Sequence, residues 1–77
     1  MSVKLNYKET EFEVFKNEDY LDVWYDDGNV MLKYTIDFEY PEPELYEWLH
    51  GKEEEEGVTE ILWDTFELAK KHFNLKD

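Results

Sequence analysis

The chain has 77 residues, of which 42% are hydrophobic and 18% aromatic, so we expect one small domain with a single core rather than a disordered acidic tail. It contains no cysteine, which excludes disulfides and thiolate metal sites. Twenty-one acidic residues against eight lysines give a formal net charge of −13, which argues against nucleic-acid binding because phosphates would be repelled, and favours basic partners.

Two short strands are predicted near the N-terminus. In residues 3–8, Val3, Leu5 and Tyr7 alternate with polar side chains, and in residues 11–15, Phe12 and Val14 alternate with Glu11, Glu13 and Phe15, which places successive side chains on opposite faces of a strand. Glu9-Thr10 is predicted as the turn between them. Because neither residue readily takes a positive φ, a longer or bulged hairpin is expected there.

A second hairpin is predicted around Asp26-Asp27-Gly28-Asn29. Alternating segments at 20–25 and 30–40 flank it, and an Asp-Gly pair suits a two-residue turn. With Asp27-Gly28 as the loop, core residues face core residues. The facing pairs are then Tyr25 with Val30, Val23 with Leu32, Leu21 with Tyr34, Trp24 with Met31, Asp22 with Lys33, and Tyr20 with Thr35.

The segment after this hairpin is predicted to leave the sheet. Pro41 ends the long fourth strand, because proline cannot donate to a strand ladder. Leu45 to His50 is predicted as a short helix, with Pro43 near its first turn and Gly51 after its end. Lys52 to Gly57 is predicted as a loop that carries four consecutive glutamates.

The clearest helix is predicted from Val58 to Phe73. Glu60 in its first turn and Lys70 and Lys71 near its end complement the helix dipole. The face predicted to be buried comprises Val58, Ile61, Leu62, Thr65, Leu68, Ala69, His72 and Phe73. The predicted fold is therefore α+β, a single acidic domain over residues 1–77. A four-stranded antiparallel sheet (β-β-β-β-α) has the C-terminal helix packed on one face and a short helical turn before it.

No catalytic or metal-binding constellation can be assembled. The only histidines, His50 and His72, fit structural positions on the two predicted helices, and there is no glycine-rich phosphate loop. The loop around Gly28 superficially resembles a calcium loop. With Gly28 at the sixth position, however, the first and third ligands would be Val23 and Tyr25, which carry no carboxylate. We expect a protein that is not an enzyme and that has no metal or cofactor.

Carboxylates and aromatic residues are interleaved on the surfaces predicted to face solvent. On the long helix, Trp63 lies among acidic residues, and it is predicted either to anchor a partner or to pack beneath the short helix or the sheet edge. On the outer sheet face, placing Val14 opposite Leu21 would set Glu13 against Asp22, a destabilising pair of like charges that Lys33 would relieve. The predicted partner-binding residues are Glu53, Glu54, Glu55, Glu56, Glu60, Trp63, Asp64, Glu67, Asp22, Trp24, Asp37 and Glu39.

The small size, the high acid content and the outward carboxylates with interleaved aromatics resemble phage-encoded DNA-mimic inhibitors, which include anti-CRISPR and anti-restriction proteins. The resemblance covers the whole chain in size and composition, and no residue motif transfers a site from that group. It implies carboxylates placed where a nuclease expects phosphates. The chain is also similar in these respects to acidic immunity proteins and antitoxins that mask nuclease toxins.

We therefore expect a non-enzymatic inhibitor of viral type that occupies the basic, nucleic-acid-binding surface of a nuclease or defence complex. It would act as a monomer or homodimer in the cytoplasm of a bacterial or archaeal host, with no direct contact to nucleic acid or membrane. Its charge would steer it into a basic cleft at a rate that falls as salt rises. The alternative is an immunity-protein-like, antitoxin-like or generic interaction subunit whose acidity serves solubility.

Overall fold

The computed structural model of the protein describes residues 2–28, 30–40, 42–49 and 55–75, with the backbone alone at 43–49 and 55–56. The chain forms an antiparallel sheet in which the strands pair in chain order, followed by one helix that covers the inner sheet face. The elements are β1 (Ser2–Tyr7), β2 (Thr10–Lys16), β3 (Tyr20–Asp26), β4 (Met31–Asp37), β5 (Pro43–Leu49) and α1 (Glu55–His72). The predicted α+β class and the sheet from β1 to β4 with a C-terminal helix are confirmed.

The segment predicted as a short helix is a fifth strand. The prediction of a helix from Leu45 to His50 is wrong, because β5 pairs antiparallel with β4, with Leu45 opposite Tyr34. A helix this short has little stability of its own, whereas the free edge of β4 offers backbone partners. Pro43 is the first residue of the strand, a position that proline tolerates in a sheet. His50 lies outside the described residues.

Both central hairpins keep the predicted faces but pair two residues away from the predicted register. Val14 lies opposite Val23 rather than Leu21, and Tyr25 lies opposite Leu32 rather than Val30. Strand β3 ends at Asp26, whose Oδ1 accepts a hydrogen bond from Gly28 N at 3.0 Å. Asp27 Oδ1 accepts a hydrogen bond from Val30 N at 2.8 Å. The two aspartate side chains therefore organise the turn around Gly28, which has φ +91°.

The new register removes the predicted contact between like charges. Glu13 lies opposite Trp24, and Asp22 lies between Phe15 and Thr35, so Glu13 and Asp22 do not face each other. Asn17 N donates to Tyr20 O at 2.9 Å and closes the turn between β2 and β3. The sheet therefore gives up no stability at this pair.

The first hairpin turns one residue earlier than predicted. Tyr7 pairs with Thr10, so Lys8 and Glu9 form the turn rather than Glu9-Thr10. Lys8 takes the left-handed conformation with φ 57°. An L-residue with a Cβ pays about 1 kcal/mol or more for this conformation, and glycine avoids the cost.

Replacing Lys8 with glycine is expected to make the protein more stable than replacing it with alanine. Both variants lose the ammonium group, so their difference of about 1 kcal/mol reports the backbone strain alone. The free energy of unfolding, measured by urea titration, checks this. Equal stability of Lys8→Gly and Lys8→Ala would show that position 8 does not hold a positive φ.

The buried face of α1 is rotated relative to the predicted one. Phe66 is 3% exposed and belongs to the core, although the sequence did not place it there. Leu68, predicted to be buried, is 37% exposed, and His72 is also exposed. The helix starts at Glu55 rather than Val58, before the predicted loop has ended. Successive residues of a helix are rotated by about 100°, so Phe66 and Leu68 lie on opposite sides of the buried stripe of α1. A rotation of the helix that buries one of them exposes the other.

A buried pair of hydroxyls joins the helix to the sheet. Thr65 Oγ1 and the Tyr34 hydroxyl lie 2.5 Å apart and share a hydrogen bond, and Thr65 Oγ1 also lies within hydrogen-bond distance of Ile61 O, at 2.8 Å. Both residues are fully buried, and burial raises the pKa of Tyr34 well above its ordinary range. Hydrogen bonding satisfies both hydroxyls, which a core position requires.

The helix ends in a Schellman motif. Asn74 takes φ 58°, Leu75 N donates to Lys70 O at 3.0 Å and Asn74 N donates to Lys71 O at 3.2 Å. Leu75 then packs against the core. The motif fixes the basic last turn of α1 at the end of the molecule that holds the β2–β3 turn.

Candidate functional site

Strand order brings three acidic segments to one end of the sheet. In an antiparallel meander, the β1–β2 and β3–β4 turns lie at the same end, and β5 also finishes there, so α1 begins at that end. One groove is accordingly lined by Glu9, Asp27 and Glu60, from two turns and the helix. A second groove, which shares Tyr7 with the first, is lined by Asp64 and Glu67. We call these five carboxylates the acidic surface.

Asp64 is held in place by a tyrosine of the first strand. The Tyr7 hydroxyl donates to Asp64 Oδ2 at 2.8 Å and so joins β1 to the middle of α1. Burial, this hydrogen bond and the charges of Asp64 and Glu60 raise the pKa of Tyr7 to about 12. The hydroxyl is therefore neutral near pH 7, and it donates to the carboxylate without adding charge.

A second tyrosine holds the β3–β4 turn in the same way. The Tyr25 hydroxyl donates to Asp27 Oδ2 at 2.7 Å, while Asp27 Oδ1 accepts from Val30 N. Burial and the hydrogen bond to Asp27 raise the pKa of Tyr25 to about 12, although a hydrogen bond with Thr10 opposes the shift. The Tyr7 and Tyr25 rings meet edge to face at 6.1 Å between centroids. Two carboxylates of the acidic surface are thus fixed through one aromatic pair.

Glu60 and Glu67 form the exposed part of the acidic surface on α1. Trp63 lies between them in sequence, is 48% exposed and packs edge to face on Phe66, with ring centroids 5.6 Å apart. The outer part of the Trp63 ring is therefore exposed while its inner edge contacts the core, and its role as an anchor for a partner stays a prediction. The acidic surface is not uniform, because Lys8 lines both grooves and Lys71 lines the second.

The predicted site residues on the sheet lie elsewhere. Trp24 is 44% exposed on the outer face, and Asp22 lies in the neighbouring cross-strand row of that face. The helix covers the inner face, so these residues lie on the other side of the sheet from the carboxylates of α1. Asp37 and Glu39 lie at the other end of β4, where Asp37 Oδ1 accepts hydrogen bonds from the backbone N–H groups of Glu39 and Tyr40. The described members of the predicted set therefore lie on separate parts of the molecule.

The glutamate run is only partly described. Glu55 and Glu56 form the start of α1, contrary to the predicted loop, whereas Glu53 and Glu54 lie outside the described residues. Two residues of the acidic surface, Glu9 and Asp27, were not predicted. The predicted order of antiparallel strands could have identified them, because alternate turns of a meander lie at the same end of the sheet.

Among the described residues, no three acidic or histidine side chains are arranged to hold a metal ion. No described helix combines the length and the apolar character needed to cross a membrane. Comparisons with protein-family models, curated proteins and solved structures found no match.

Proposed function

We propose that the protein is a non-enzymatic acidic inhibitor that occupies the basic, nucleic-acid-binding surface of a protein partner. The observation that carries the proposal is the convergence of the β1–β2 turn, the β3–β4 turn and α1 on one acidic surface. Its five carboxylates, set against Lys8 and Lys71, give it a formal charge of −3. Such a surface attracts a lysine- and arginine-rich cleft.

The spacing of the carboxylates along α1 supports phosphate mimicry. Glu60, Asp64 and Glu67 span about 10 Å of helix axis at a rise of about 1.5 Å per residue, or about one carboxylate per 5 Å. One strand of duplex DNA carries a phosphate about every 3.4 Å. The two charge densities are of the same order, so a cleft built for phosphates meets comparable charge along the helix.

The fixed carboxylates add to the case for a binding role. Asp64 and Asp27 are each held by a tyrosine hydroxyl, so they lose little side-chain freedom when a cation docks. Trp63, next to Asp64 in the sequence of α1, supplies exposed apolar contact area that a purely electrostatic mimic lacks. Together these features provide orientation as well as attraction.

The immobilised chain is expected to capture a basic nucleic-acid-binding protein whose affinity for it falls about tenfold or more between 50 and 200 mM salt. Duplex DNA or structured RNA should displace that partner from the chain, because both ligands use one cleft. Affinity at graded salt, with and without nucleic acid, checks this. Capture of nothing, or of a partner that salt and nucleic acid leave bound, contradicts the proposal.

The second candidate function is a general interaction subunit. The exposed aromatic rings of Trp24 and Tyr20 on the open sheet face favour it, because tryptophan and tyrosine are enriched at protein interfaces. A complex formed through that face would depend mainly on apolar burial. Its affinity would then change little with salt, which separates the two candidates.

A further inference from the structure

The outer face of the sheet holds a depression centred on Trp24. Its volume is about 420 Å³, at the low end for ligand pockets, and it is lined on its acidic side by Glu11, Glu13 and Asp26. Glu13 lies directly opposite Trp24 in the strand register. The depression is therefore suited to one side chain of a partner, between an indole and carboxylates.

The protein already places a cation on this tryptophan. Lys33 lies opposite Trp24 on β4, and its Nζ is 4.4 Å from the centroid of the indole ring. That distance is within the range of a favourable cation–π contact. Phe15 packs against the ring from β2, with centroids 5.2 Å apart. The ring is thus supported by Phe15 from one neighbouring strand and carries a cation from the other.

We propose that the Trp24 depression binds an arginine side chain of a basic partner, and that Lys33 is an internal occupant which the arginine displaces. A planar guanidinium can stack on the indole while its N–H groups reach a carboxylate, which an ammonium does less well. The net charge of −13 selects a cationic occupant over a second copy of the chain. None of the five carboxylates of the acidic surface lines this depression, which lies on the sheet face that α1 does not cover.

The site is tested with two short neutral-ended peptides, Gly-Arg-Gly and Gly-Lys-Gly. Each is titrated into the protein, and binding is followed by the NMR signals of the tryptophan indole N–H groups. Trp24→Phe identifies the Trp24 signal. The arginine peptide is expected to shift that signal saturably and to bind more tightly than the lysine peptide. Equal affinity for both peptides, or shifts spread equally over all indole signals, would overturn the proposal.

Lys33→Met removes the internal cation and is expected to tighten arginine binding about two- to fivefold, the equivalent of one exposed cation–π contact. Lys4→Met is the matched control, because Lys4 lines the same depression and has the same charge but is not placed over the Trp24 ring. An equal gain in both variants would mean that binding responds only to net charge. If Lys33→Met lowers the affinity, Lys33 supports the site rather than occupying it.

Trp24→Leu is expected to reduce arginine binding at least tenfold while the remaining amide signals keep their positions. Because the side chain is exposed on the outer face, the change leaves the core untouched. Persistence of the binding in this variant would also overturn the proposal. None of these outcomes depends on the salt-dependent capture that tests the acidic surface.

Discussion

Replacing Phe66 with alanine is expected to lower the free energy of unfolding by about 3–5 kcal/mol, the usual cost of emptying a buried phenyl site. Phe66 is 3% exposed and packs edge to face on Trp63, and Lys70 Nζ lies 5.2 Å from the centroid of the Phe66 ring. A domain of this size has only about 4–12 kcal/mol of total stability. The variant is therefore expected to unfold at a much lower urea concentration, as followed by circular dichroism.

Leu68→Ala is the control on the same helix. Leu68 is apolar and next but one in sequence, yet it is 37% exposed, so its loss is expected to cost less than about 1 kcal/mol. Phe66→Leu, which keeps most of the volume, covers the case in which Phe66→Ala does not fold at all. If Leu68→Ala proves as costly as Phe66→Ala, α1 presents the face predicted from the sequence instead.

The sequence predicts which side chains lie on each face of the sheet, because apolar and polar residues alternate along a strand with a period of two. The buried residues Leu21, Val23, Leu32 and Tyr34 all lie on the predicted side. Sliding a strand by two residues keeps every side chain on its face, so the pattern does not distinguish the predicted register from the observed one. The choice depends on the hydrogen bonds that the Asp26 and Asp27 side chains make with the turn backbone, and composition alone does not reveal these.

The fifth strand has consequences beyond secondary structure. With four strands, the chain would leave the sheet at the end that holds the β2–β3 turn. Because β5 crosses the sheet once more, α1 begins beside Glu9 and Asp27 instead. Because the segment of β5 was predicted as a helix, the sequence did not indicate that the helix and the two turns share one end of the sheet. Glu60, Asp64 and Glu67 could be placed on one helix side from spacing alone, but their turn neighbours could not.

The charge pattern also looks different once the register is known. The predicted register set Glu13 against Asp22, a destabilising pair of like charges that Lys33 would relieve. The structure places Trp24 opposite Glu13, with Lys33 on the other side of the indole. Glu13, Trp24 and Lys33 therefore form a favourable cross-strand row without like charges side by side. The proposal of a phosphate mimic accordingly rests on the acidic surface and not on the outer face.

Reversing two exposed charges on the helix is expected to weaken binding of the captured basic partner about a hundredfold or more. Glu60→Lys/Glu67→Lys changes the net charge by four and turns attraction into repulsion at two points, at about 1.5 kcal/mol or more each. Asp64 is left unchanged because it accepts the Tyr7 hydrogen bond, and its loss would disturb the fold. Equilibrium affinity, measured at one fixed salt concentration, checks this.

The control carries the same change in charge at the other end of the molecule. Glu18 lies in the β2–β3 turn and Glu39 follows β4, and both side chains are exposed. Glu18→Lys/Glu39→Lys is expected to weaken the complex less than about threefold, because distant surface charges are screened within about 10 Å. If both double variants lose affinity equally, the partner responds to net charge and no particular surface docks. If neither loses affinity, the acidic surface is not the contact, and the Trp24 face becomes the place where a partner binds.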